Sequence, residues 1–138
     1  MTTPNAGDTL ENAKDTAVVV KRSVSQPVKQ VWKSLASHAG AEALLGPGGE
    51  LGDKGEDWRS VDGTYGVIRS YHPLEEVRFT WYAADNAPKT MVLVTMAASE
   101  DGGSVIEVRH DQVPAYFDKS ALAARWEAFL DKLVALGE

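Results

Sequence analysis

The chain has 138 residues, a formal net charge of −6 and no cysteine, with 43% hydrophobic and 25% charged residues. That length fits one domain with a proper core, and so ordinary a composition argues against wholesale disorder. The lack of cysteine excludes disulfides, thiolate metal ligands and cysteine nucleophiles. An acidic chain without a basic stripe also lacks the electrostatic footprint of a nucleic-acid binder.

Residues 1–15 are polar around an isolated Leu10 and show no sustained period, so they are expected to form a flexible tail ahead of one domain at 16–138. They carry neither an early basic patch nor an apolar run, so no signal peptide is expected. No stretch approaches the roughly 20 apolar residues of a membrane span. The cytoplasm is the expected location.

From residue 16 the pattern changes. Val18, Val19, Val20 and Val24 predict a first strand, which Gln26-Pro27 ends because proline lacks the amide a ladder needs. Proline suits the first turn of a helix, with Ser25 as a candidate cap. Val28, Val31, Trp32 and Leu35 then recur at helical spacing. A second short helix is expected over residues 39–45, closed by Gly46-Pro47. The glycine-rich segment 46–57 lacks the lysine-serine/threonine ending of a phosphate-binding loop and carries Glu50, Asp53, Glu56 and Asp57. It is expected to be a mobile loop at a cavity mouth.

Strand signals follow at 58–61, 65–71, 77–82, 89–98 and 104–111, separated by turn chemistry at Asp62-Gly63, His72-Pro73 and Asp101-Gly102-Gly103. Residues 89–98 are too uniformly apolar to assign their faces. The last strand alternates clearly, with Ile106, Val108 and His110 on one face and Glu107, Arg109 and Asp111 on the other. Short turns between consecutive strands predict an antiparallel sheet with one covered face. A long helix is expected from Asp118 to about Leu136, with Gly137 beyond it and a stripe of Leu122, Trp126, Phe129, Leu130 and Leu133. At 1.5 Å per residue it is about 27–30 Å long, enough to cross a small sheet.

This order resembles the START-like (SRPBCC) superfamily, which includes the birch pollen allergen and lipid-transfer domains. Within it the chain is similar to the family named for the activator of heat-shock protein 90 ATPase homologues (AHSA-like). Four stretches carry the resemblance: VSQPVKQVWKSLAS, DWRSVDGTYGVIRSYHPLEEVRFTW, GGSVIEVRHDQVP and ARWEAFLDKL. They look like the family's opening strand and helix, its paired strands ending in a Phe-Thr-Trp motif, its histidine-ended strand, and its terminal helix. Two positions depart from the pattern. Arg125 stands where glycine is common, and Leu44-Leu45 where an aromatic is frequent. The resemblance implies an α+β helix-grip fold: a curved antiparallel six-stranded sheet around the long C-terminal helix, with two short helices after the first strand. It further implies a cavity between sheet and helix, in a superfamily whose members bind lipids, sterols, polyketides or hormones.

The residues expected to line such a cavity are Trp58, Tyr65, Phe79, Trp81, Ile106, Val108, His110, Trp126, Phe129 and Leu130. Arg69 and Tyr71 are further polar candidates. His110 shares a face with Ile106 and Val108. It reads either as a core histidine bonded to a neighbour, as a hydrogen-bonding group for a ligand, or as a general base. His38 and His72 are expected in solvated loops without metal-ligand spacing, and no catalytic motif, metal or cofactor is expected. The expected partner is a small hydrophobic ligand bound by a monomer or homodimer. Two other functions compete with that reading: an enzyme using the cavity histidine, and a chaperone contact suggested by the family name.

Overall fold

The structure is a computed structural model and describes residues 17–138; the tail expected at 1–15 lies outside the described residues. Six strands form one antiparallel sheet in the order β1-β6-β5-β4-β3-β2. They are β1 (Val18–Val24), β2 (Asp57–Arg59), β3 (Tyr65–His72), β4 (Glu76–Trp81), β5 (Thr90–Ala98) and β6 (Ser104–Asp111). Two short helices, α1 (Val28–Ala36) and α2 (His38–Leu45), follow β1, and α3 (Lys119–Leu136) ends the chain. This is the α+β helix-grip arrangement.

Each element follows from its local chemistry. In β1, Val18 and Val20 are buried while Val19 faces out, as a period of two requires. Helix α1 buries Val31, Trp32 and Leu35. Its N-cap is Pro27, with no side-chain hydrogen bond, so Ser25 does not take the expected capping role. Ser37 does cap α2, its hydroxyl accepting from the Gly40 amide at 3.1 Å. The two helices meet so closely there that a Cβ on Gly40 would fall on the Ser34 carbonyl oxygen. At α3, Asp118 caps the start by accepting from the Ala121 amide at 3.1 Å. Gly137 ends the helix with φ of −90°, so its conformational freedom is unused. Its missing side chain instead leaves room for Gln26, which donates to the Val134 carbonyl at 3.0 Å.

Three expectations need correction. The strand expected at 58–61 is Asp57–Arg59, because the Ser60 amide bonds to the Thr64 carbonyl at 2.9 Å and closes a wider turn. His38 opens α2 and His72 closes β3, so neither lies in a loop. The uniformly apolar strand is resolved by register. β5 pairs Val92 with both Phe79 and His110, so Thr90, Val92, Val94 and Met96 face inward while Met91, Leu93 and Thr95 are half-buried.

The sheet is disturbed where β3 meets β4. The Trp58 indole donates to the Thr80 carbonyl at 3.2 Å, and the Val67 amide donates to the Thr80 hydroxyl at 2.8 Å. The register shifts between Ile68 and Ser70. Gly66 sits under this crossing, and a Cβ there would fall on the Thr80 carbonyl oxygen and stand 2.7 Å from Trp58 Nε1. Gly66→Ala is therefore expected to destabilise the fold by at least about 2 kcal/mol, read as a lower midpoint in urea with an unchanged slope.

Candidate functional site

The candidate site is the inner face of the sheet where β4, β5 and β6 meet the middle of α3. Alternation brings Phe79 and Trp81 of β4, and Ile106, Val108 and His110 of β6, onto that face. Helical spacing brings Trp126, Phe129 and Leu130 down onto it. Phe79, Ile106, Val108, His110, Trp126 and Leu130 are all 0% exposed. All but His110 belong to one hydrophobic core, and His110 is buried among them.

His110 sits in this apolar setting with both ring nitrogens partnered. Trp126 Nε1 lies 3.2 Å from His110 Nδ1, and His110 Nε2 lies 2.8 Å from the Thr90 hydroxyl. The Thr90 hydroxyl in turn donates to the Trp81 carbonyl at 2.5 Å. An indole nitrogen can only donate, so Nδ1 must accept and the neutral ring carries its proton on Nε2. The string therefore runs in one direction, from Trp126 through His110 and Thr90 to the β4 backbone. Burial, reinforced by the Arg125 charge, pushes the His110 pKa down to about 4. The histidine is neutral, and its one lone pair is already engaged.

Around His110 the aromatic rings stand edge to face. Trp81 is 4.9 Å from its ring centre at 82°, and Trp126 is 5.7 Å away at 68°. Above them lies Arg125, its guanidinium carbon 5.3 Å from the Trp81 ring centre and 5.6 Å from that of Trp126. Two donors in this group have no partner among the described residues: Trp81 Nε1 and Arg125 Nε, both shielded from solvent. A buried unpaired donor ordinarily costs about 1–3 kcal/mol.

Arg125 is tied to the turn between β2 and β3. Its two terminal nitrogens are each 3.5 Å from Asp62 Oδ2. Asp62 Oδ1 is held more firmly, accepting from the Thr64 amide at 3.0 Å and the Thr64 hydroxyl at 2.7 Å. Partial desolvation pushes the Asp62 carboxyl up, but hydrogen bonds from Thr64 and Ser60 and the Arg125 charge outweigh it and hold the pKa below the usual range.

The cavity expected between sheet and α3 is instead filled by the packed side chains of the core, and the prominent clefts lie at the surface. One of about 180 Å³ opens between α2, the loop after it and α3, with Asp62, Arg125, Ala128 and Lys132 on its walls and the core residue Phe129 lining it. It adjoins a wider groove of about 430 Å³ walled by Ala39, Ala43 and Leu136. A third, of about 440 Å³, lies by β2 and β3 beside Tyr65 and Tyr82.

The structure thus brings Phe79, Trp81, Ile106, Val108, His110, Trp126, Phe129 and Leu130 together inside the fold. Trp58 joins them through Phe79, ring centres 5.6 Å apart and nearly perpendicular. Tyr65 stands apart. It lies on the half-buried face of β3, stacked on Tyr82 at 4.7 Å with Arg59 over its ring at 4.9 Å. Tyr71 packs on Trp32 and Arg69 is exposed, so neither reaches the group. Sequence reasoning missed Thr90 and Asp62. Thr90 leaves only a faint signal, as the polar first member of the alternation Thr90-Val92-Val94-Met96. Asp62 registers only as a turn former, with nothing to tie it to Arg125. Among the described residues no group of three or more histidines and carboxylates could hold a metal ion, and no helix is long and apolar enough to cross a membrane.

No family model matches the chain, and no curated protein matches its sequence. Solved structures do match. CalU16 from Micromonospora echinospora superposes with a TM-score of 0.73 at 19% identity, over 88% of this chain and 76% of that one. Protein MLL2253 from Mesorhizobium loti gives 0.74 at 18% identity, over 87% and 95%. The Aha1 dimer from Colwellia psychrerythraea gives 0.67 at 17% identity, over 85% and 92%. Likeness at these identities is one of fold, and it fits the START-like, AHSA-like arrangement that the sequence motifs resemble.

Because His110 titrates near pH 4 when folded and near 6.5 when unfolded, the unfolded chain binds more protons between those values. Its contribution to stability is complete above pH 6.5 and is lost as pH falls toward 4. Between pH 7 and 4.5 this site should remove about 2–3 kcal/mol of stability. His110→Gln, which can still accept from Trp126 and donate to Thr90, should show a correspondingly shallower loss. Urea unfolding of both proteins at the two pH values makes the comparison, and parallel losses would contradict the assignment.

Proposed function

We propose that this protein binds a small hydrophobic or aromatic molecule between its sheet and α3, admitted through the cleft beside Arg125. The observation that carries the reading is that this cleft reaches the core: Phe129 lines it, and the Arg125 side wall lies against the Trp81 and Trp126 rings. Ligand sites are lined mainly by apolar and aromatic groups with a few polar ones to orient the guest; here Glu42, Asp62, Arg125 and Lys132 give the cleft a charged mouth around Phe129, and the aromatic groups lie beneath it. At about 180 Å³ the cleft is smaller than the roughly 300 Å³ at which such sites begin. Binding therefore requires Arg125 to move aside and extend the cleft toward the rings.

His110 favours binding without proton transfer. A general base needs a lone pair facing the substrate, and Nδ1 is occupied by the Trp126 indole while Nε2 carries the proton. The ring instead stiffens the floor of the site.

A panel of naphthalenes, flavonoid-type phenols and medium-chain acyl compounds, followed by thermal unfolding, tests the reading. A binder at about 100 times its Kd stabilises by about 2.7 kcal/mol, a shift of a few degrees for a domain of this size. Ala128→Trp, at an exposed cleft position outside the core, should fill the entrance and weaken binding at least about tenfold, a loss of about 1.4 kcal/mol. Absence of any shift across the panel, or unchanged binding by Ala128→Trp, would sink the proposal.

A further inference from the structure

We infer that the guest carries an organic acid group, received by Arg125 and the Trp81 indole N–H, and that Asp62 is a built-in stand-in for that acid. The inference rests on the binding reading above and names the chemical class it takes.

The unmet hydrogen-bonding capacity around the aromatic rings is all of one kind. Arg125 Nε and Trp81 Nε1 can only donate, both are shielded from solvent, and neither has a partner among the described residues. Trp81 itself is 4% exposed. The two groups adjoin, because the guanidinium lies over the Trp81 ring at 5.3 Å. Only an acceptor can satisfy them, and a carboxylate is the acceptor whose shape fits the edge of a guanidinium.

The charges on the cleft, Glu42 and Asp62 against Arg125 and Lys132, sum to zero, so an anion is favoured over a neutral carbonyl at Arg125 itself, through charge-assisted pairing with a guanidinium whose present partner is distant. The only carboxylate on Arg125 among the described residues is that of Asp62, and it reaches the outer nitrogens at 3.5 Å, the long end of hydrogen bonding. Glu42, on the same cleft, keeps its negative charge but makes its contacts away from Arg125. Its Oε2 accepts from the Gly48 amide at 2.8 Å, and its Oε1 lies 3.6 Å from His38. Lys132, also on the cleft wall, adds a second positive charge. His110 below is neutral, its nitrogens already used. Once Asp62 leaves Arg125, the position is positive, donor-rich and walled by aromatic rings.

Asp62 is placed to leave without unfolding its turn. Oδ1 carries the turn through its two bonds from Thr64, while Oδ2 alone touches Arg125. An incoming carboxylate takes over the guanidinium and leaves the Thr64 bonds intact. Asp62 then opposes the guest in two ways, by competing for Arg125 and by repelling a like charge.

Calorimetric titration with 2-naphthoic acid and its neutral isostere 2-naphthamide at pH 7 tests this. The wild type should prefer the acid about tenfold or more, a preference that falls with added salt. Arg125→Gln should erase it and Arg125→Lys should keep part of it. Asp62→Asn, which retains the Oδ1 acceptor, should tighten the acid several-fold and the amide by less, because only the acid is also freed from like-charge repulsion. Trp81→Phe, which keeps a ring and removes the N–H, should weaken the acid more than the amide. Equal binding of acid and amide by the wild type would overturn the inference and leave the binding proposal standing. Failure of both probes to bind would overturn the inference, and the binding proposal falls with it only if the whole panel also gives no thermal shift. Asp62→Asn weakening acid and amide alike would show that Asp62 supports the site instead of occupying it. The wild-type comparison needs no variant to fold.

Discussion

The interior is organised by a hydrogen-bonded string whose direction is set at one end. Trp126 Nε1 can only donate, so His110 must accept at Nδ1, donate from Nε2, and leave the Thr90 hydroxyl to finish on the Trp81 carbonyl. The string crosses α3, β6, β5 and β4 in that order. It fixes where the middle of the helix rests on the sheet, because a shift of α3 would strand a buried donor. A neutral imidazole suits the position because it accepts and donates at opposite edges of one rigid ring. Protonation would put a hydrogen on the one nitrogen that must accept, and burial together with the Arg125 charge already holds the pKa low.

The rest of α3 is secured differently. Arg22 on β1 bridges to Glu127 at 2.8 Å and Asp131 at 3.0 Å, and Gln26 holds the Val134 carbonyl at 3.0 Å. Leu122, Phe129, Leu130 and Leu133 add the apolar stripe beneath. Against these anchors, Arg125 is the loosely held group: two long contacts to one carboxylate oxygen, and an Nε with nothing to donate to. The helix is therefore fixed as a body while one of its side chains, at the cleft, keeps bonding capacity in reserve. That separation allows a side chain to move where the backbone does not.

How much of this could be read from the sequence depended on whether the signal was local. The β6 alternation placed Ile106, Val108 and His110 on one face, and the α3 stripe placed Trp126 and Phe129, because both periods are written in consecutive residues. In β5 the run from Met91 to Met96 is apolar on both faces, so only pairing with β4 and β6 could decide which side is inside. Tyr65 was grouped with the cavity residues on its size and aromaticity, yet its strand face turns it toward Tyr82 and Arg59. The pairing of Asp62 with Arg125 spans 63 positions and has no local trace. What the sequence did offer there was the departure itself, an arginine where the family pattern favours glycine.

The same magnitudes decide which part of a closely packed interior can yield to a guest. Displacing Trp126 or Phe129 would sacrifice aromatic burial, on the order of 3–5 kcal/mol for such a side chain, and moving Trp126 would also break the string at its origin. Separating Arg125 from Asp62 costs far less. Both side chains are about one-third exposed, at 30% and 35%, and pairs in that setting are worth about 0–1 kcal/mol. Moving Arg125 also leaves its Nε no worse satisfied than before. On the proposed reading, a guest entering by the arginine gives up that weak pair and the contacts of Arg125 with the two indole rings, whereas one entering under the sheet would have to dismantle the core. The packed aromatic floor is then compatible with the proposed binding, because the group that must yield is a side chain at the cleft and not the core beneath it.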